Sequence, residues 1–268
     1  MNTHTWSNNE MPLDRPNPAR IYDYLLGGHH NFEADRVVAE KMLEIIPEVR
    51  QEARTGRRCM RRYISFLVEQ GIDQFLDIGS GLPTLGNVHE LVQAANPSAR
   101  VVYVDIDPVA VAHGRAILQE HLDVTYIRGD LCQPAEILGH NEVQNLLDLS
   151  QPVAVVLAAP LAYIPDDEVA YGVVRTLRDA MAPGSYIVIV HPSFHGGSPD
   201  LVERLSQLYA SAAQNKARSY DEILRFFDGF ELVEPGLVHI SSWRPEDPVA
   251  QTLHPLGLVG VGRLSARG

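Results

Sequence analysis

Two glycines and two aspartates are spaced so that they could hold a nucleotide-like cofactor. Gly79 and Gly81 follow the largely apolar run Phe75–Ile78 and precede a predicted helix, so the backbone of this turn can adopt positive φ and approach a ligand closely. Asp105 ends the next apolar run and could accept hydrogen bonds from both hydroxyls of a ribose. Asp130 ends the third run and could accept a hydrogen bond from the exocyclic amine of adenine.

Each of these positions also has a purely structural interpretation. A single Gly-x-Gly occurs at ordinary turns between a strand and a helix, and Asp130 could be a turn carboxylate. Asp107 competes with Asp105 for the ribose, but Pro108 after it is typical of a helix N-terminus, which favours Asp105. The joint occurrence of these signals at the ends of successive runs carries more weight than any one of them.

Residues after the fourth and fifth apolar runs could border a reacting group. The fourth run ends in small residues such as Ala158, which leave room for a cofactor, and Tyr163 follows it closely. Candidate general bases are His191, at the end of the fifth run, and His195 in the loop after it. Each of these side chains could equally be structural, and we predict no metal site.

The surrounding pattern predicts an α/β fold. From Ile72 onward apolar runs alternate with helical patterns, which is typical of βαβ units and a parallel sheet with helices on both faces. A capping box at Ser219 begins a late helix. We expect strands at 73–78, 100–105, 124–128, 152–158 and 185–191, helices near 86–95, 107–119, 166–181 and 199–213, and a final antiparallel pair at 230–240 and 256–264.

The N-terminal quarter of the chain has a different character. Residues 1–18 are polar and contain three prolines, so we expect a flexible arm. Helical periodicity over 19–26, from 33 to about 47 and over 57–69 then predicts a helical cap spanning residues 19–70. Residues 71–268 would form the sheet domain.

A group of arginines in this cap has two interpretations. One is a solvated helix face whose charges pair with Glu48 and Glu52. The other is a lid that binds an anionic substrate or the carboxylate of a cofactor, with Arg57 as the leading candidate. Thr55-Gly56 is expected to interrupt the helix within this group, whose members are Arg50, Arg54, Arg57, Arg58, Arg61 and Arg62.

The amino-acid composition limits the expected binding partners and the expected cellular compartment. The net charge of −12 opposes binding to nucleic acid and to anionic membranes, so neither is expected as a partner. Only two cysteines occur, Cys59 and Cys132, which fits a reducing compartment. With no signal peptide and no long apolar segment, the sequence predicts a cytoplasmic protein.

Longer motifs resemble those of a bacterial family of S-adenosylmethionine-dependent methyltransferases, many of whose members were catalogued as a domain of unknown function. The resemblance covers nearly the whole chain and is more specific than the glycine turn alone. The segments that carry it are Arg20–Gly28, Asn31-Phe32, Ala34–Arg36, Phe75–Thr84, Gly86–His89, Val101–Asp105, Arg218–Tyr220, Trp243–Pro245 and Val261-Gly262.

The resemblance implies a class I methyltransferase fold, which is Rossmann-like and doubly wound. Its sheet has seven strands and is mostly parallel, with the last strand antiparallel, and an N-terminal helical cap is added. S-adenosylmethionine would lie across the strand ends. The cofactor-binding residues that the family motif implies are Gly79, Ser80, Gly81, Asp105, Ile106, Asp130 and Leu131. We add Asp77, Ala158, Tyr22 and Arg57 as further candidates.

The resemblance further implies methyl transfer. We expect a small-molecule acceptor, and the positions of His191 and Tyr163 make them the candidate catalytic residues. One alternative is an NAD(P)-dependent Rossmann oxidoreductase, which is disfavoured because Thr84 stands where its fingerprint needs a third glycine. The other is a protein that binds S-adenosylmethionine without transferring methyl. Ala162 prompts this alternative, because it replaces a histidine of the family pattern.

Overall fold

Buried apolar strands alternate with helices in the computed structural model, which describes residues 13–82, 86–193, 195, 199–200, 202–203, 216–246 and 257–265. The helices are α1 (Pro18–Leu26), α2 (Glu33–Ile45), α3 (Val49–Glu69), α4 (Val88–Ala95), α5 (Pro108–Ile117), α6 (Pro134–Leu138), α7 (Asn141–Leu146), α8 (Asp167–Ala180) and α9 (Tyr220–Leu224). The strands are β1 (Gln74–Ile78), β2 (Arg100–Asp105), β3 (Val124–Arg128), β4 (Ala154–Ala158), β5 (Tyr186–Pro192), β6 (Glu231–Leu232), β7 (Val238–His239) and β8 (Gly257–Arg263).

The strands form one mixed sheet in the order β3-β2-β1-β4-β5-β8-β6, and β7 also pairs with β8. Strands β1 to β5 pair in parallel, and β8 runs antiparallel to β5. Because β1 lies between β2 and β4, the order reverses there, and this is where open α/β sheets bind their ligands. The predicted class I methyltransferase fold is confirmed, including its antiparallel last strand.

Both faces of the sheet are covered by helices. On β1, Leu76 and Ile78 belong to one apolar cluster, whereas Phe75 belongs to another on the opposite face. The second half of α3 packs on this opposite face through residues such as Tyr63 and Leu67. Helices α1 and α2 with the start of α3 form a third cluster. The cap is thus joined to the sheet by one continuous helix.

The continuity of α3 corrects one expectation. We predicted an interruption at Thr55-Gly56, yet the helix runs unbroken from Val49 to Glu69. The Thr55 hydroxyl donates to the carbonyl of Gln51 one turn earlier, so it does not compete with the helix. A Cβ on Gly56 would lie 3.4 Å from the Tyr22 hydroxyl, so the glycine leaves room for α1 to approach.

The predicted strand 230–240 is divided into β6 and β7, which gives the sheet eight strands instead of seven. Pro235 has no N–H to donate to a ladder, and Gly236 adopts a φ of 87° between the two short strands. Helices α6 and α7 were not predicted. The expected helix 199–213 lies mostly outside the described residues. No helix in the described part of the chain is long and apolar enough to cross a membrane.

Arg62 fastens α3 to the C-terminal region. Its Nε donates to the Trp243 carbonyl and its Nη2 to the Ile240 carbonyl, both at 2.7 Å. We expect Arg62→Ala to lower the free energy of unfolding by about 2 kcal/mol, because two charge-assisted hydrogen bonds are lost. Arg54→Ala on the exposed face of the same helix serves as the control and should change it by less than about 0.5 kcal/mol. Denaturant unfolding of both variants measures the difference, and equal effects would contradict the assignment.

Candidate functional site

The turn after β1 is shaped by two glycines with positive φ, 74° at Gly79 and 68° at Gly81. A Cβ on Gly79 would lie 2.5 Å from the Cβ of Pro160, which no side chain can tolerate. The Gly79 amide donates to the Val104 carbonyl at 2.7 Å. The turn is therefore pressed between the end of β2 and the loop after β4, and only glycine fits there.

Asp105 joins this turn to the next one. Its Oδ2 accepts from the Gly81 amide at 2.8 Å, and its Oδ1 accepts from the Asp107 amide at 2.9 Å. Burial raises the pKa of Asp105, while these backbone donors act in the opposite direction. Each carboxylate oxygen keeps a second lone pair for a ligand hydroxyl. Ile106 beside it is 42% exposed, an apolar surface at the same edge.

Asp107, the competing carboxylate, caps α5. Its Oδ1 accepts from the Val109 amide at 2.9 Å, as its position before Pro108 predicted. Arg20 approaches the other oxygen of Asp107, with Nη1 at 3.5 Å from Oδ2. Within the described residues, Oδ1 of Asp107 is hydrogen-bonded in the cap, whereas buried Oδ2 has an ion-pair contact with Arg20 and no hydrogen bond.

Tyr126 supports the glycine turn from β3 and was missed by the sequence reasoning. The Ser80 hydroxyl donates to the Tyr126 hydroxyl at 2.8 Å, which in turn donates to the Gly81 carbonyl at 2.7 Å. Ser80, a predicted cofactor ligand, therefore uses its hydroxyl inside the turn. Burial raises the pKa of Tyr126, so its hydroxyl remains a hydrogen-bond donor. A period-two strand pattern marks such a tyrosine as core and gives no sign of this role.

Asp77, Arg57 and Tyr22 are brought together from three elements. Asp77 is 7% exposed, and burial raises its pKa to about 7, with Arg57 acting to lower it and Asp105 to raise it. The Arg57 guanidinium lies 5.6 Å from the ring centroid of Tyr22. The Tyr22 hydroxyl donates to the Ala53 carbonyl at 3.0 Å, which ties α1 to α3. These three predicted site residues share one end of the cleft.

Asp130, Leu131 and Ala158 lie at the ends of β3 and β4. Asp130 is exposed, and its Oδ1 accepts from the Cys132 amide at 2.9 Å. Leu131 is half-buried against the core. Ala158 is exposed at the end of β4, so this part of the edge is open. All three positions face the same edge of the sheet as Asp105, as their place after parallel strands requires.

His191 cannot act as a general base, which corrects the expectation. It is fully buried, and its Nδ1 lies 2.8 Å from the Pro192 carbonyl while its Nε2 lies 3.0 Å from an Arg218 nitrogen. A carbonyl requires a donor and a guanidinium an acceptor, so the ring is the neutral Nδ1–H tautomer with both nitrogens engaged. Burial lowers the pKa of His191 to about 4. Tyr163 is 38% exposed and His195 is exposed, so these two remain accessible.

Arg218 organises the same region, although the sequence analysis placed it in a family motif and predicted no role for it. Its buried guanidinium donates to the Leu161 and Ile164 carbonyls at 2.9 and 2.7 Å and to the Asp167 carboxylate at 3.0 Å. It thereby holds the loop after β4 against β5 and α8. Ala162 in this loop is fully buried, so a histidine at that position would point into the core. The missing imidazole therefore removes no group from the cleft.

Comparisons with known proteins agree with this fold. A family described as S-adenosyl methyltransferase matches residues 4–265. A protein from Thermobifida fusca, described with its crystal structure as a putative methyltransferase, is 41% identical, with a TM-score of 0.90, covering 98% of this chain and 100% of that chain. A DUF574 family protein from Streptomyces avermitilis is 34% identical, with a TM-score of 0.90 and coverage of 95% and 100%.

More distant structures share the fold alone. An O-methyltransferase family protein from Burkholderia thailandensis is 13% identical, with a TM-score of 0.56, covering 92% of this chain and 64% of that chain. No curated protein matches the sequence.

The buried Asp77 carboxylate should make stability depend on pH. Its pKa is about 7 in the folded protein against 3.8 for an ordinary aspartate, so the free energy of unfolding falls as pH rises between these values. Asparagine carries no charge, so Asp77→Asn does not lose stability in this way as the pH rises. The free energy of unfolding of the variant, minus that of the wild type, should therefore increase from pH 4 to 7 and reach roughly 2–4 kcal/mol above pH 7. Denaturant unfolding at several pH values measures the gain, and a difference that stays constant across this range would contradict the burial argument.

Proposed function

Since this chain belongs to the S-adenosyl methyltransferase family, we propose that it transfers the methyl group of S-adenosylmethionine to a small-molecule acceptor. The family establishes the enzyme class and the cofactor, whereas the acceptor and the residue roles are our proposal. When bound, the cofactor supplies an electrophilic methyl carbon on its sulfonium. The observation that carries the residue assignment is the convergence of Asp77, Asp105 and the glycine turn where the strand order reverses.

The nucleoside end of the cofactor fits the turns after β2 and β3. Asp105 accepts the two ribose hydroxyls through the lone pairs that its backbone donors leave free. Exposed Ile106 offers an apolar contact to adenine. Asp130 accepts from the exocyclic amine with the oxygen that Cys132 does not use, and Leu131 lines the same end.

The amino-acid end fits the glycine turn and the charges beside it. The positive φ at Gly79 and Gly81 shapes the backbone turn beside this end of the cofactor, and the missing side chains leave room for Pro160 and Ala19 to pack against the turn. Asp77 matches the ammonium and Arg57 the carboxylate, so opposite charges of the cofactor meet opposite charges of the protein. Tyr22 holds the Arg57 guanidinium in place through its ring.

The acceptor binds, in this proposal, between exposed Ala158 and Tyr163. Helix α1 covers the glycine turn closely, since a Cβ on Gly81 would lie 3.2 Å from that of Ala19, so the cleft is roofed on this side. A roofed cleft suits a small acceptor, and the net charge of −12 disfavours nucleic acid. The protein then accelerates transfer by holding the acceptor in line and excluding water, and His195 is the accessible base for a hydroxyl acceptor.

We retain further proposals from the sequence. Most of the expected arm at residues 1–18 lies outside the described residues. Residues 19–70 form a helical cap and residues 71–268 the cofactor-binding domain. The enzyme acts in the cytoplasm of a bacterium, which its two free cysteines support.

Thermal unfolding and turnover test the function together. S-adenosylmethionine and S-adenosylhomocysteine should each stabilise the protein, by roughly 2.7 kcal/mol at 100 times Kd, whereas NAD should not. Release of S-adenosylhomocysteine should then follow when a panel of small amines, phenols and thiols is supplied. Stabilisation by NAD alone would overturn the cofactor assignment, and transfer only to protein or nucleic acid would overturn the acceptor class.

The ribose assignment makes a sharper prediction. Asp105→Ala should weaken S-adenosylhomocysteine binding about 100-fold, because two charge-assisted hydrogen bonds and the order of the turn are lost. Asp107→Asn keeps the cap of α5 and should weaken binding by about tenfold at most. Isothermal titration calorimetry compares the two variants, and equal losses would show that the wrong carboxylate was chosen.

A further inference from the structure

A buried charge cluster joins α1 to the cofactor edge of the sheet. Arg20, Asp35 and Asp107 are all buried, and Arg20 Nε donates to Asp35 Oδ2 at 2.9 Å. Arg20 Nη1 lies 3.5 Å from Asp107 Oδ2. Asp35 also accepts from the Asn17 amide at 2.8 Å, and Asn17 caps α1. One guanidinium therefore lies between a carboxylate of the helical cap and a carboxylate of the turn after β2.

This cluster continues directly into the residue proposed to bind ribose. The Asp107 amide donates to Asp105 Oδ1 at 2.9 Å, so the two aspartates belong to one turn. The Gly81 amide donates to Asp105 Oδ2, and Ala19, next to Arg20, packs on Gly81. Helix α1 therefore meets both residues whose amides donate to the Asp105 carboxylate, Gly81 through Ala19 and Asp107 through Arg20.

We propose that Arg20 is a positioning residue that couples the docking of α1 to cofactor binding at Asp105, an inference that rests on the proposed role of Asp105. Helix α1 also carries Tyr22, whose ring lies beside Arg57 at the other end of the cleft. Docking of this helix therefore sets both the ribose end and the amino-acid end of the site. Coupling between two equilibria is reciprocal. If docking of α1 increases the affinity for the cofactor by some factor, bound cofactor should increase the docking equilibrium constant of α1 by the same factor.

Burial explains why the link is specific. A buried carboxylate that loses its cation pays a large desolvation penalty, so Asp35 and Asp107 both favour the docked position of Arg20. The guanidinium also donates to the Arg15 carbonyl at 2.6 Å, which orders the segment before α1. The planar guanidinium of arginine can donate to several acceptors at once in fixed directions, whereas the ammonium of lysine is a compact point charge.

Two variants and a matched control test the coupling. Arg20→Gln removes the cation, and Asp107→Asn removes its partner charge while keeping the amide and the cap of α5. Arg54→Gln on the exposed face of α3 is the control. Calorimetry with S-adenosylhomocysteine should give a Kd about tenfold higher for Arg20→Gln and several-fold higher for Asp107→Asn, and an unchanged Kd for the control. The double variant should bind no more weakly than Arg20→Gln, since the two act through one contact.

Hydrogen exchange supplies the readout that a purely structural role would not move. In the wild type, S-adenosylhomocysteine should slow exchange of the α1 amides about tenfold, and this ligand-dependent slowing should disappear in Arg20→Gln and shrink in Asp107→Asn. A wild-type Kd in both variants, or undiminished slowing of α1 in them, would overturn the inference. If Arg20→Gln does not fold, Asp107→Asn decides the question alone. Failure of the proposed function looks different, because the wild type would then not bind S-adenosylhomocysteine. Failure of the ribose assignment would leave Asp105→Ala binding as tightly as the wild type.

Discussion

The hydrogen bond from the Gly81 amide to the Asp105 carboxylate is the contact on which the functional edge of the sheet depends. It joins the turn after β1 to the turn after β2, and it forms only because Gly79 and Gly81 adopt positive φ. Pro160, from the loop after β4, packs where a Cβ of Gly79 would lie. Three strand ends are therefore held in contact by one glycine turn, and every proposed ligand of the cofactor is placed relative to it.

Two carboxylates, those of Asp77 and Asp105, are buried beside this turn. They offer hydrogen-bond acceptors to a ligand, but burying their charge lowers the stability of the protein without a ligand. Burial raises the pKa of both Asp77 and Asp105, and each charge disfavours the other. Arg57 offsets part of this repulsion at Asp77. Such an arrangement favours a ligand that brings its own positive charge and hydroxyl donors. The site therefore gives up stability in the free protein in exchange for complementarity to the cofactor.

Three arginines, two buried and one half-buried, hold the remaining segments against the sheet. Arg20 ties α1 to the turn after β2, Arg62 ties α3 to the carbonyls before β8, and Arg218 ties the loop after β4 to β5 and α8. Each guanidinium contacts several acceptors, which suits its planar fork. His191 belongs to the Arg218 network and so stabilises the loop after β4. The cap and this loop are thus positioned by polar contacts in addition to apolar packing.

The fold class was predictable because a buried parallel strand is a local apolar run, and β1 to β5 lie within two residues of the expected spans. The same periodicity located the glycine turn, Asp105 and Asp130, since strand ends in such a sheet meet at one edge. The partners of the charged side chains were not predictable. Arg62 contacts residues nearly two hundred positions away in the sequence. No local pattern predicts that the Arg218 guanidinium lies against His191. Sequence spacing determines which residues share a strand or helix face, whereas long-range packing alone decides which of these faces are buried and which charges meet.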